Sequence, residues 1–173
     1  MIVDEAYSDF SAQKPFRFDI QKYPNLIVLA TFSKAWGAAG IRLGMAFAST
    51  DIIALFNKVK YPYNVNVLTQ KKGLEILSDV TLLQRHITMI LEERVTLIKS
   101  LSLLPVCKKV YPTDANFILV RVTDADSIYR YLVQKGVVVR NRNRVHLCGD
   151  CLRITVGAKD ENTKLLSALR QYV

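Results

Sequence analysis

The sequence predicts an α/β fold, and three features predict it. Short, mostly apolar runs recur at Leu26–Ala30, Leu43–Ala48, Asn116–Val122 and Leu152–Val156, the pattern of strands. Between them lie stretches whose apolar residues step by three and four, the spacing of amphipathic helices. From Asn116 onward the elements run β-α-β-β-α, an order that suits a small α/β domain.

The chain opens on Ile2 and Val3, the end of a strand with Asp4 at its tip. Residues Ser8 to Tyr23, polar and aromatic with Pro15, read as a loop with a short helix. Leu26–Ala30 is a strand, and the loop TFSKAWGAAGIRLG (Thr31 to Gly44) follows it. Leu43–Ala48 reads as an antiparallel or edge strand. Ile52, Ile53, Leu55, Phe56 and Val59 mark a helix over Ile52–Lys60 that Thr50 or Asp51 could cap. Pro62, in the YPYN turn, breaks it.

Asn66–Leu77 reads as a second helix. Leu83, Ile87, Ile90, Leu91, Ile98 and Leu101 predict a long one from Leu82 to about Ser102. Pro105 and Pro112 bracket a loop. Asn116–Val122 is a strand, and Asp124–Gln134 a helix stopped by Gly136. Val137–Val139 reads as a short strand. Arg140, Arg142 and Arg144 alternate after it; on a strand they would share a face, and in a turn they would be solvated. Leu152–Val156 is a strand and Asp160–Tyr172 a closing helix.

Composition narrows the class. Of 173 residues, 50% are hydrophobic and 23% charged, the balance of a globular protein. The net charge is +9, which suits an anionic cofactor and substrate and would also attract nucleic acid. A single-strand binder needs aromatic platforms among its basic residues, and none lies between Arg140 and Arg153, so no nucleic-acid partner is expected. No segment reaches the roughly 18 apolar residues that span a bilayer. Asp4, Glu5 and Asp9 argue against a signal peptide, so the expected location is cytoplasmic, with no membrane partner.

The three cysteines, Cys107, Cys148 and Cys151, give no disulfide framework. His146, Cys148 and Cys151 form an H-x-C-x-x-C pattern. Structural zinc takes four protein ligands, and no second pair exists, so no metal is expected. His86 reads as a helix residue rather than a catalyst.

The loop Thr31–Gly44 carries the chemistry. It puts Lys34 at the carboxyl end of a strand, where open α/β sheets bind ligands. A lysine amine forms a Schiff base with an aldehyde once it is unprotonated. Thr31 and Ser33 bring hydroxyls, and Arg42 a guanidinium fork that matches a phosphate. Glycines let the backbone approach a ligand. An aldehyde bearing a phosphate, such as pyridoxal 5'-phosphate, fits this set. Asp4 could pair with a protonated pyridine nitrogen, and Tyr7, three residues on, could donate to the ring's phenolic oxygen.

DEAYSDF, YPNLIVLATFSKAWGAAGIRLG, PYNVN and CLRITVG, in this order, resemble the second half of a fold-type I aminotransferase, most closely the histidinol-phosphate aminotransferase family. The resemblance covers the whole chain. It implies part of the large pyridoxal-phosphate-binding domain in residues 1–61, a helical connection in 62–103 and the small C-terminal α/β domain in 104–173. Lys34 is then the catalytic Schiff-base lysine. Asp4, Tyr7, Thr31, Ser33 and Arg42 bind the cofactor, Arg153 a substrate carboxylate and Arg140 a substrate phosphate, with Asn64 facing the site. The implied reaction joins histidinol phosphate and 2-oxoglutarate, and the full-length enzyme is expected to be a homodimer.

Family members carry a further large block before the DEAY motif. The chain is therefore expected to be a C-terminal fragment that retains cofactor poorly and is inactive alone. Residues 1 to about 61 are expected to lack sheet partners and to expose an apolar patch. Three other functions compete: a related aminotransferase, a threonine-phosphate decarboxylase, and an aminotransferase-like regulatory domain without turnover.

Overall fold

The structure, a computed structural model, describes residues 1–172. It is a mixed α/β chain that divides into two compact units, Met1–Ile87 and a second from Thr88 onward.

The first unit is built on a three-stranded sheet in the order β1-β2-β3. Strand β1 (Ile2–Asp4) runs parallel to β2 (Ile27–Thr31), and β3 (Gly44–Phe47) runs antiparallel to β2. Among the described residues β3 pairs with β2 alone, from Val28↔Phe47 to Thr31↔Gly44, so it is both antiparallel and an edge strand. Two 3-10 turns, Ser8–Phe10 and Phe16–Asp19, fill the loop between β1 and β2. Phe10, Leu26, Val28 and Phe32 form its buried centre.

Helices α1 (Thr50–Val59) and α2 (Val67–Leu77) follow. The N-cap of α1 is Ser49, not Thr50 or Asp51; its extended backbone ends the strand exit one residue earlier than the sequence suggests. Asn66 caps α2, its side chain accepting from Thr69 N at 2.9 Å. Thr69 in turn donates from Oγ1 to Ile41 O at 3.1 Å, which ties α2 to the end of the lysine loop. Gly73 lets it come close, since a Cβ there would meet Leu43 at 3.2 Å.

Parallel strands are normally covered on both faces. Here β1 is an edge, and Ile2 and Leu29 are 67% and 39% exposed. Leu55, Val59, Leu68 and Leu74 are exposed on the helices. Scattered exposed apolar side chains are ordinary; these cluster on the unit that holds the short sheet.

Helix α3 (Val80–Ser102) is the long helix the periodicity predicts. In the second unit a four-stranded antiparallel sheet runs β4-β5-β7-β6. Its strands are β4 (Cys107–Val110), β5 (Phe117–Val122), β6 (Arg140–Asn141) and β7 (Cys151–Thr155). Helices α4 (Ala125–Gln134) and α5 (Lys159–Arg170) complete the unit. Its core joins Leu97 and Leu101 to Ile118, Val120, Ile128, Leu132, Leu152, Ile154 and Leu165. Burying such a side chain stabilises by about 1.5–3 kcal/mol.

Two expectations fail here. The segment between Pro105 and Pro112 is not a loop throughout: β4 lies in it, paired antiparallel to β5. Two lysines among four residues hid the strand, because at the sheet edge both point to water. Val137–Val139 is not a strand; Gly136 (φ 69°) ends α4 and the chain joins the sheet only at Arg140. Arg140 alone of the three alternating arginines lies on a strand, and Arg142 and Arg144 belong to the turns that follow. Among the described residues no helix is long and apolar enough to cross a membrane.

Candidate active site

The parallel register Asp4↔Leu29 puts the carboxyl ends of β1 and β2 side by side. Asp4 closes one strand and Thr31 the other, so the loops that leave them diverge from one edge. Ligands in α/β sheets bind at such an edge. The first loop carries Tyr7 and the second Lys34. They meet: Lys34 Nζ lies 5.0 Å from the centroid of the Tyr7 ring, and both side chains are half-buried. An ammonium over a ring face is favoured, so this contact holds the amine at the mouth of the sheet.

The hydroxyls of the second loop are linked. Thr31 Oγ1 donates to Ser33 Oγ at 3.0 Å and receives Ser33 N at 3.1 Å. The neighbouring Leu43 O accepts Phe32 N at 3.2 Å and lies 3.3 Å from Thr31 Oγ1. Arg42, next to Leu43 in the chain, is exposed. Its backbone is left-handed (φ 53°), and its Nη1 donates to Ala39 O at 2.9 Å. A non-glycine residue in this region is strained. Gly37 (φ 63°) supplies the other tight turn of the loop.

Asp4 Oδ1 accepts Ala6 N at 2.9 Å, which orients the carboxylate at the strand tip. Asn64 lies in the exposed YPYN turn between α1 and α2, and no bond joins it to the lysine loop.

One set of residues was not visible in the sequence. Glu5, 8% exposed, accepts Phe16 N at 2.5 Å on Oε1, and Arg17 Nη1 lies 3.5 Å from its Oε2. Arg17 also donates to Ser8 Oγ at 2.9 Å and reaches Asp9 at 3.6 Å. This part-buried network ties down Glu5, Ser8 and Asp9, which flank Tyr7 in the chain. Its only trace in the sequence is a carboxylate directly after a strand, which is common.

Arg153 and Arg140 belong to the second unit. The register of β6 and β7 sets them directly opposite each other. The Arg153 guanidinium lies over the Phe117 ring, 4.9 Å from the centroid, and its buried Nε has no hydrogen-bond partner. A buried unpaired donor of this kind is costly, and a carboxylate or phosphate oxygen would satisfy it.

By donor type the set suits pyridoxal 5'-phosphate: an amine for its aldehyde, a phenol for its ring oxygen, a carboxylate for its pyridine nitrogen, and hydroxyls with a guanidinium for its phosphate.

Comparison with known proteins gives the family. The family profile for aminotransferase class I and II matches residues 1–169. A histidinol-phosphate aminotransferase of Parabacteroides distasonis is 56% identical over 170 residues, covering 98% of this chain and 49% of that protein. The crystal structure of the histidinol-phosphate aminotransferase from Clostridium acetobutylicum superposes with a TM-score of 0.90 at 26% identity, covering 98% of this chain and 52% of that one. That of an L-threonine-O-3-phosphate decarboxylase from Porphyromonas gingivalis gives 0.85 at 25% identity, covering 97% and 53%. The chain thus spans about half the length of the curated relatives it matches. Matched by that profile over residues 1–169, the chain belongs to the class I and II aminotransferase family.

Proposed function

We propose that the chain carries the lysine side of a pyridoxal-phosphate-dependent transamination site. Its substrates are histidinol phosphate and 2-oxoglutarate, and its products imidazole acetol phosphate and glutamate. The observation that carries this reading is Lys34 held against Tyr7 at the carboxyl ends of two adjacent parallel strands. The curated relatives named histidinol-phosphate aminotransferase support the choice of substrate.

Bound there, pyridoxal 5'-phosphate supplies an electron sink for the bond broken at the substrate α-carbon. The chain's own residues do the rest. Lys34 would hold the aldehyde carbon and, once freed by the substrate amine, would act as general base at the substrate α-carbon and as general acid at the cofactor's C4' carbon, moving the proton from one to the other. Asp4 keeps the pyridine nitrogen protonated. Tyr7 donates its hydroxyl proton to the ring oxygen. Thr31, Ser33 and Arg42 bind the phosphate. Arg153 clamps a carboxylate in a bidentate pair, Arg140 takes a substrate phosphate, and Asn64 contributes from the turn before α2. The working enzyme is a cytoplasmic homodimer in this reading, and the chain alone retains cofactor poorly and turns over no substrate.

A second reading has its own support in the likeness to the P. gingivalis decarboxylase. It would use the same cofactor residues and release carbon dioxide from threonine phosphate.

The test is co-expression of the chain with the segment matching the first half of the P. distasonis relative. After incubation with pyridoxal 5'-phosphate and reduction with borohydride, the label should map to Lys34. Histidinol phosphate should then convert 2-oxoglutarate to glutamate. A label on another lysine removes Lys34 from its role, and carbon dioxide release from threonine phosphate without glutamate formation selects the decarboxylase.

A further inference from the structure

Arg140 and Arg153 stand directly opposite each other on antiparallel strands, so their side chains leave the same face of the sheet. Like charges placed so repel. Strand β6, which bears Arg140, is only two residues long, and few ladder bonds oppose that repulsion. Something outside the sheet must hold it.

The holder is Asp126, in the first turn of α4. One of its carboxylate oxygens accepts Asn141 Nδ2 at 2.5 Å and the other accepts Asn143 Nδ2 at 3.0 Å. Both amides pass the constraint on. Asn141 Oδ1 accepts Asn143 N at 2.8 Å, and Asn143 Oδ1 accepts Asp150 N at 2.9 Å. Arg142 N donates to Cys151 O at 2.8 Å and closes the same loop onto β7. One carboxylate therefore fixes the residue after Arg140 and, through two amides, the loop that leads back toward Arg153. An acid in a first helical turn is favoured by the helix dipole alone, but that role needs neither asparagine.

We propose that Asp126 is a positioning residue: through Asn141 and Asn143 it holds Arg140 opposite Arg153, so that two guanidinium groups form one clamp for a phosphate or carboxylate. This rests on the reading of Arg140 and Arg153 as substrate-anion residues. Asp126 itself does not touch the anion.

Inorganic phosphate is the probe, titrated into the 173-residue chain with the Nε–Hε signals of its arginines followed by NMR. The Arg140 and Arg153 signals should shift together. Asp126→Ala should weaken phosphate binding roughly three- to tenfold, the scale of coupling between contacting residues. The double variant Asn141→Ala/Asn143→Ala, which leaves α4 untouched, should do the same. In an Arg140→Ala background, Asp126→Ala should cost nothing further; a general loss of stability would instead add. Unchanged binding in Asp126→Ala and in the asparagine variant, or an additive loss, overturns the positioning role while leaving the arginines in place. If phosphate moves neither arginine signal of the unaltered chain, the reading of the two arginines fails and the proposal with it.

Discussion

Lys34 Nζ lies 5.0 Å from the centre of the Tyr7 ring, although 27 positions of chain separate them (34 − 7). The contact exists because β1 and β2 are parallel and in register at Asp4↔Leu29. The ring and the hydroxyl of Tyr7 can be separated by substitution. Tyr7→Phe keeps the ring beside the amine and removes the hydroxyl proposed to donate to the cofactor. In the co-expressed assembly, affinity for pyridoxal 5'-phosphate should fall about tenfold, the value of one hydrogen bond to a charged group. Borohydride labelling of Lys34 should survive in Tyr7→Phe and vanish in Lys34→Ala. Equal affinity in Tyr7→Phe and the unaltered chain, measured by equilibrium dialysis, would deny the hydroxyl its role.

Glu5 sits one residue from Asp4 and two from Tyr7, and is buried against Phe16 N and Arg17. Glu5→Ala leaves Phe16 N without its carboxylate and the Arg17 guanidinium with Asp9 and Ser8 alone. The expected loss is about 1–3 kcal/mol, read as a lower urea midpoint of the first unit. Proteolysis of the 8–23 loop should quicken in parallel. Arg17→Ala should do at least as much harm, because it strips a cation from a buried carboxylate.

Arg42 tests whether the strained backbone serves the ligand. A left-handed residue costs an L-amino acid about 1–2 kcal/mol, and glycine would remove that cost while adding its own chain entropy. Arg42→Gly should therefore leave stability within about 1 kcal/mol of the unaltered chain. Pyridoxal 5'-phosphate should nevertheless bind more weakly, as it should in Arg42→Lys, which loses the planar fork. A glycine variant that binds cofactor normally would make the strain incidental.

The sequence is legible where local chemistry decides. LIVLA announces β2 because a buried strand needs continuous apolar residues, and the lysine loop follows from its glycines and hydroxyls. Gly136, with no Cβ to oppose its positive φ, ends α4, and Asp124 begins it, its side chain accepting Ser127 N at 3.0 Å. What stays hidden depends on partners distant in the chain. β4 reads as a loop because its lysines face water and only pairing with β5 makes it a strand. The Glu5–Arg17 pair and the Asp126 relay join residues 12 and 15–17 positions apart (17 − 5; 141 − 126 and 143 − 126), with no periodicity to reveal them. The opposition of Arg140 and Arg153 is a matter of register, which is set by the turns between β6 and β7.

The core of the second unit should respond to truncation at a single site. Leu132 is fully buried on α4 among the residues of that core. Leu132→Ala should cost about 2–5 kcal/mol, the transfer of the lost carbons plus the cavity they leave. The measurement is urea unfolding with a probe confined to the second unit. A loss below about 1 kcal/mol would mean that the sheet and helices close over the gap.

Cys107, on the edge strand β4, gives a prediction in pH. Burial raises its thiol to about 11 from an ordinary value of 9.0, because the thiolate is the form that desolvation penalises. The folded state thus holds the proton more tightly than the unfolded one. Its contribution is fully present below pH 9.0 and is lost as pH rises toward about 11. Stability of the second unit should accordingly decline across that window, and Cys107→Ala should flatten the decline. Burial therefore keeps the Cys107 thiol protonated at pH 8, and iodoacetamide should modify it far more slowly in the folded chain than in urea. Mass spectrometry of the Cys107 peptide after timed alkylation reads the difference directly. Equal rates in the two states would show that the thiol is solvated and its proton no harder to remove than in the unfolded chain.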